Sequence, residues 1–375
     1  MIPRLIEKLV IKSLKIKKII LILGARQVGK TTLINSVRAR LFSKKVSLYF
    51  NCDIEEDRKT INTTSLIELK KLSKDVDILF IDEAQRLDNP GLTLKIIHDN
   101  LDIKVIATGS SSFELKNKLS DPLTGRYLDF ILYPLSIEEV KSKIYKIDQI
   151  VLYGLYPEVF LIKKNQEKIL FLNKIIESYL FKDILSFQKI RYSQAIKDLL
   201  AALAYQIGSE VNENELANRL KIDRKTVVSY LDILEKSFII KKLYPYSRNP
   251  RREIGRRYKI YFIDLGIRNA LIGDFNDLNI RKDSGALFEN FVVVEKLKFH
   301  ENRQWLADLY FWRSYGGGEI DLIEKSKTSG ELMAFEIKYQ SERLSRGAKE
   351  FLKEYKIPVK IINTNNYYDF IKKPT

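Results

Sequence analysis

Residues 17–34, KKIILILGARQVGKTTLI, decide the fold of the N-terminal third of the chain. Ile19 to Leu23 is an unbroken apolar run of strand length, the pattern of a parallel strand buried on both faces. It runs directly into Gly24-Ala25-Arg26-Gln27-Val28-Gly29-Lys30-Thr31, which fits G-x-x-x-x-G-K-[ST] at each fixed position. From Thr32 onward an apolar-periodic stretch reads as the helix that should follow. The chemistry requires this order. Gly24 and Gly29 let the backbone curl so that its N–H groups face a polyphosphate, and the helix N-terminus adds the positive end of its dipole. Lys30 is placed to reach the β- and γ-phosphates, and the Thr31 hydroxyl to ligate Mg²⁺. Gly24 through Thr32 are the expected nucleotide-binding residues, with ATP and Mg²⁺ as cofactors.

The rest of the composition bounds the answer. A chain of 375 residues exceeds one typical core, so two or three domains are expected. Its 45% apolar and 11% aromatic content is that of a folded globular protein. Cys52 is the one cysteine and there are two histidines, which excludes an internal disulfide framework and argues against structural zinc. That usage fits a reducing, cytoplasmic setting. The apolar run at Ile19 leads into the phosphate loop, so it reads as a core strand and no membrane partner is expected. Net charge is +17, distributed as +5 over residues 1–140, +11 over 141–282 and +1 over 283–375. The middle of the chain therefore holds most of the excess, as a polyanion-binding surface would.

Beyond the loop, VSLYFNCD (46–53) reads as a second strand and VDILFIDEAQ (76–85) as an apolar strand ending in Asp82-Glu83. That is the Walker B pattern, with Asp82 expected to hold Mg²⁺ through water and Glu83 to orient and deprotonate the attacking water. LDIKVIATGSSS (101–112) is another strand ending in hydroxyl residues, so Ser110 or Ser111 is expected near the γ-phosphate or the lytic water. Alternating strands and helices imply a parallel sheet covered on both faces, with ligands at its C-terminal edge. LTGRYLDFILYPLS (123–136) places Arg126 in a Gly-Arg turn, a candidate donor to the γ-phosphate in cis or from a neighbouring subunit.

As a set, GARQVGKTTL, LFIDEAQ, ATGSSS and LTGRYLDFILYPLS resemble the AAA+-type ATPases of archaea and bacteria whose ATPase module is joined to a C-terminal region of uncharacterised function. The resemblance implies a polar sensor residue at Ser110 and an arginine finger at Arg126. It leaves homo-oligomerisation open, and no arginine fits the sensor 2 position.

Residues 141–192 read as helices linking the modules, with Gly154 and Pro157 in a compact turn. From residue 194 three helical patterns follow. A helix over Glu213–Arg219, a turn at Leu220–Asp223 and a helix over Lys225–Glu235 capped by Asp223 make a helix-turn-helix, whose second helix normally enters a major groove. Its exposed start offers Arg224, Lys225, Thr226 and Ser229. A strand at 238–246 and an arginine-rich stretch (Arg248, Arg251, Arg252, Arg256, Arg257, Lys259) then read as the wing of a winged helix, gripping the phosphates of duplex or branched DNA.

The C-terminal region carries a second set. A helix over 283–299 bears Glu289, and strands at 307–314, 319–324 and 331–339 follow across glycine turns. Alternation puts Glu319 with Asp321 on one face and Glu336 with Lys338 on another. Asp321 and Glu336 on adjacent strands would bind a divalent metal, and Lys338 would polarise the attacking water. This arrangement resembles the PD-(D/E)xK nuclease fold, shared by archaeal Holliday junction resolvases. The resemblance implies Glu289, Asp321, Glu336 and Lys338 as the site of a metal-dependent DNA endonuclease. The proline that often precedes the strand acid is replaced by Gly318-Glu319-Ile320.

The expected architecture is therefore α/β: a P-loop parallel-sheet AAA+ ATPase domain (1–140), a helical linker (141–192), an α+β winged helix (193–282) and an α/β PD-(D/E)xK nuclease-like domain (283–375). The expected function is a Mg²⁺-dependent ATPase that binds DNA and processes it with the C-terminal domain. The alternative is a nucleotide-gated signalling or defence switch that acts on protein partners and keeps an inactive nuclease-like scaffold.

Overall fold

The structure is a computed structural model that describes residues 2–42, 45–110, 123–140, 146–181, 193–248 and 257–372. These belong to two compact units, residues 1–135 with 236–238 and residues 136–235 with 239–375.

The first unit is built on the apolar runs. α1 (Glu7–Ser13) precedes β1 (Ile19–Leu23), all five residues of which are buried. α2 (Lys30–Leu41) follows the glycine loop, then β2 (Ser47–Asn51) and two short helices, α3 (Glu55–Ile61) and α4 (Leu66–Leu72). β3 (Ile78–Asp82), α5 (Pro90–Asn100), β4 (Lys104–Gly109) and β5 (Tyr127–Ile131) complete it. The sheet is wholly parallel in the order β2-β3-β4-β1-β5. Parallel pairing needs both faces covered, and β1, β3 and β4 are buried almost throughout. β4 lies between β1 and β3, so the glycine loop and the two acids end on either side of the residues that leave β4.

The second unit opens with α6 (Ile147–Tyr153), α7 (Pro157–Leu161) and α8 (Asn165–Ile175), which continues as π-helix to Phe181. Gly154, at φ +74°, separates α6 from α7, and a Cβ there would meet the Asp264 carboxylate at 2.0 Å. α9 (Ser193–Tyr205) precedes α10 (Glu213–Leu220) and α11 (Arg224–Lys236). Asp223 caps α11, accepting the Thr226 N–H at 2.9 Å. An antiparallel pair, β6 (Ile240–Leu243) and β7 (Lys259–Phe262), then leads to α12 (Leu265–Ile272).

The 20-residue α13 (Ser284–Arg303) follows, then β8 (Ala307–Arg313), β9 (Glu319–Ser326), β10 (Leu332–Ile337), α14 (Arg346–Tyr355), β11 (Val359–Ile362) and α15 (Tyr367–Lys372). The sheet order is β11-β10-β9-β8, with only the β10–β11 pair parallel. Trp312, Ile320, Ile323 and Ala334 on this sheet pack against Phe351 and Tyr355 of α14, with Tyr246 closing the same core. The strand after β6 joins the sheet edge, because the Tyr246 N–H donates to the Phe311 carbonyl at 2.6 Å. Among the described residues, no helix is long and apolar enough to cross a membrane.

Candidate functional site

The Gly24–Thr31 loop is fixed from both ends. Gly24 is pressed against β5, so that a Cβ would lie 2.2 Å from the Leu132 carbonyl oxygen. Gly29 has φ +95°, a conformation that favours glycine. Arg4 straps the loop in place, donating to the Val28 carbonyl at 2.7 Å and the Tyr133 carbonyl at 2.6 Å. Ala25 and Val28 are buried, whereas Gln27, Thr31 and Thr32 are exposed. The Lys30 ammonium, buried, donates to the Gly24 and Ala25 carbonyls at 3.0 Å each and lies 3.7 Å from Glu83. Burial lowers its pKa, against the opposing pull of Glu83 and Asp82.

Asp82 ends β3 almost fully buried, and its two oxygens are shared among three hydroxyls. Thr31 Oγ1 donates to Oδ2 at 2.7 Å and Tyr49 to the same oxygen at 3.1 Å, while Thr108 donates to Oδ1. Burial, then the charge of Asp82, raises the pKa of the Tyr49 phenol. Glu83 stands in the left-handed region (φ +53°), held there by its N–H, which donates to Thr108 Oγ1 at 3.0 Å. The Gln85 amide donates both to Glu83 and to Ser110 Oγ, the latter at 2.9 Å. Lys30, Thr31, Asp82, Glu83 and Ser110 thus converge at one sheet edge. Thr108, Tyr49, Gln85 and Arg4 complete the set, and sequence reasoning missed all four. Tyr49 reaches Asp82 only because β2 pairs with β3, with Asn51 opposite Asp82. Ser111 lies outside the described residues.

Arg126 does not join this set. Its carbonyl accepts the Ile19 N–H at 2.9 Å, which places it at the start of β1. The loop leaves the other end of β1, four residues on, or about 13 Å away at roughly 3.3 Å per residue. The Arg126 guanidinium instead pairs with Asp99 at 2.8 Å and, by that hydrogen bond, holds the carboxyl down to about 2. The expectation of an arginine finger acting in cis is corrected: the Gly-Arg turn precedes β5 and so falls at the sheet edge remote from the loop.

The second unit brings part of the C-terminal set together. β9 and β10 pair with Phe335 opposite Leu322, and the next step of that register sets Glu336 opposite Asp321. Lys338 lies 2.8 Å from Glu336, as expected for residues two apart on one strand. Every acid in the set is nonetheless engaged by the protein. Asp321 Oδ2 accepts the Ile337 N–H at 2.6 Å, and Glu336 accepts the Ser345 N–H at 2.9 Å. Glu289 Oε1 accepts from Lys259 Nζ at 3.0 Å and from the Tyr261 hydroxyl at 2.7 Å. Lys259 also donates to Glu319 at 2.6 Å. Burial, reinforced by Glu289, pushes the Asp321 carboxyl up to about 7, while Lys259 pulls it down. Burial lowers the Lys259 pKa, but Glu289 and Glu319 outweigh it and the net shift is upward.

Lys259 is therefore not the phosphate-gripping residue its place in the basic stretch suggested. It is 1% exposed, because β7 is covered on both faces, and alternation sets it and Tyr261 on the same face, towards Glu289. The expected metal ligands Asp321 and Glu336 stand opposite one another on adjacent strands, each accepting a backbone N–H. Among the described residues no three of His, Cys, Asp and Glu converge as a group that could hold a metal ion. Of the remaining basic stretch, Arg248 packs over the Tyr355 ring at 4.9 Å and Arg257 is exposed. Arg251, Arg252 and Arg256 lie outside the described residues. On α11, Arg224 pairs with Glu213 at 2.7 Å and Lys225 is exposed.

The parallel sheet and the glycine loop at its edge are those of a P-loop nucleotide-binding domain, and residues 16–141 match the family model described as an AAA domain. Residues 144–278 and 284–371 match two models each described as a domain of unknown function (DUF8612 and DUF4143). An uncharacterized protein of Mycobacterium tuberculosis is 27% identical over 327 residues, 86% of this chain and 70% of the relative. An uncharacterized protein of Methanocaldococcus jannaschii is 28% identical over 362 residues, 82% of this chain and 73% of that one. Among solved structures, AMPPCP-bound DnaA from Aquifex aeolicus is 19% identical, covering 60% of this chain and 86% of its own, at a TM-score of 0.32. That likeness is too distant to carry an argument.

Proposed function

We propose that the chain is a Mg²⁺-dependent ATPase that engages DNA through α10 and α11, with its C-terminal sheet a nuclease-like scaffold. The observation that carries the hydrolytic part is the meeting of Thr31 Oγ1 and Asp82 Oδ2 at 2.7 Å. Thr31, its hydroxyl proton directed at Asp82, would keep an oxygen lone pair for Mg²⁺, and Asp82 would hold that ion through water. The bound ion neutralises charge that develops on the transferred phosphoryl group. Lys30 exchanges the Gly24 and Ala25 carbonyls for phosphate oxygens. Glu83 takes the proton of the attacking water, held at its post by Thr108 and Gln85. Ser110, joined to Glu83 through Gln85, lies where the γ-phosphate would be sensed. Arg126, remote from its own loop, is left with the role of a finger for a neighbouring copy.

The DNA-binding part rests on the charge excess of +11 in residues 141–282 and on the exposed start of α11. A winged-helix reading of α10, α11 and the β6–β7 pair is supported by their order and by the Asp223 cap. The domain limits 1–140, 141–192, 193–282 and 283–375 belong to this proposal. So does the PD-(D/E)xK likeness, supported by a helix bearing Glu289 beside strands bearing Asp321, Glu336 and Lys338. The engaged state of those acids favours a scaffold over an active endonuclease, and with it the second reading, a nucleotide-gated switch that acts on protein partners.

ATP turnover measured with duplex, single-stranded and four-way-junction DNA, with Lys30→Ala as blank, tests the proposal. Stimulation by one DNA form, lost in Lys225→Ala, is expected. Turnover indifferent to all three would favour the protein switch.

A further inference from the structure

We propose that Lys259 is the resident cation of the C-terminal acid cluster, neutralising Glu289, the helix acid of the nuclease-like set, so that this acid does not serve a divalent metal. This inference goes beyond the proposed ATPase and does not depend on it. β7 delivers two donors to one carboxylate oxygen: Lys259 at 3.0 Å and Tyr261 at 2.7 Å from Glu289 Oε1. The same ammonium reaches Glu319 at 2.6 Å and so bridges α13 to β9. Arg313 closes the outer side, 3.2 Å from Glu210 and 3.9 Å from Glu319.

A divalent ion needs its carboxylate oxygens at about 2.0–2.6 Å. The Lys259 ammonium, hydrogen-bonded to Glu289 and Glu319, takes those two oxygens from such an ion. Of the remaining acids, Asp321 accepts from the Ile337 N–H and Glu336 from both Ser345 and Lys338, so each already has a protein donor. Lys259 is also nearly sealed from water and lies over the Phe311 ring at 5.6 Å, so it cannot swing out to solvent without opening the sheet edge. The cluster is thus a charged seam that fastens the β6–β7 pair to α13 and the C-terminal sheet. Metal-assisted cleavage of a phosphodiester is not its task.

The test uses the full chain without nucleotide. Mn²⁺ binding followed by electron paramagnetic resonance should give the same number of bound ions for the wild type and Asp321→Asn. Neither should nick supercoiled DNA in Mn²⁺. One more ion on the wild type than on Asp321→Asn, or nicking that Asp321→Asn abolishes, would overturn the proposal. Lys259→Met leaves Glu289 and Glu319 without their shared cation. Thermal unfolding followed by the fluorescence of Trp305 and Trp312, both in the second unit, should fall by roughly 10 °C. An unchanged midpoint in that variant would equally refute it. If Lys259→Met fails to fold, the comparison of wild type with Asp321→Asn decides alone.

Discussion

Thr108→Val is the substitution that probes the ATPase site at a residue to which the sequence assigned no role. Thr108 is fully buried, and its hydroxyl both donates to Asp82 Oδ1 and accepts the Glu83 N–H at 3.0 Å. Valine keeps the volume and loses both bonds. A hydrogen bond to a buried carboxylate is worth about 1.5–3 kcal/mol, and a backbone N–H left without a partner costs about 1–3 kcal/mol more. Asp82 keeps Thr31 and Tyr49, so the first term falls at its lower end. A destabilisation of about 2.5–4.5 kcal/mol follows, a fall of about 1–2 M in the urea midpoint for a domain of this size. Far-UV circular dichroism reads that shift, and fluorescence of Trp305 and Trp312 reports the second unit separately. Function should suffer in a particular way. Glu83 loses the bond that fixes its left-handed backbone, so ATP turnover drops while ATP affinity holds. A midpoint within 0.2 M of wild type (about 0.4 kcal/mol), or a loss of affinity equal to the loss of turnover, would refute this reasoning.

Two further outcomes follow from the geometry. Gly24→Ala puts a Cβ 2.2 Å from the Leu132 carbonyl oxygen, so the loop and β5 must separate, and filter binding should show ATP affinity lost. The Asp321 carboxyl is raised from its ordinary value to about 7, so the folded chain holds a proton there that the unfolded chain has released. The stability of the second unit therefore falls as pH rises from about 4 to about 7, and Asp321→Asn should flatten that slope in urea titrations. A slope equal to wild type in the variant would show that another group is responsible.

How much of this was legible in the sequence depended on whether an element was local. The glycine loop, the acids after β3 and the hydroxyls after β4 are short contiguous patterns, and the parallel sheet follows from the buried runs beside them. The helices around Asp223 were readable for the same reason, since a cap and a turn lie within a few residues. What escaped the reading is set by pairing between distant strands. Tyr49 touches Asp82 because of the β2–β3 register, and Arg126 is remote from the loop because it begins a strand instead of ending one. Lys259 misled because it sits among arginines in the sequence, while its strand is covered on both faces and sets it beside Tyr261 against Glu289. Carboxylates spaced like metal ligands look the same whether a metal or a lysine neutralises them. Only the three-dimensional partners distinguish the two.

The most direct measurement of the central claim is a side-by-side comparison of the wild type and Glu83→Gln with radiolabelled ATP and Mg²⁺. Both should bind ATP with similar affinity, because Lys30, Thr31 and Asp82 are untouched. Only the wild type should convert it to ADP at an appreciable rate, with the variant slower by about 100-fold or more for loss of a general base. Equal turnover in the two, or no binding by either, would contradict the account.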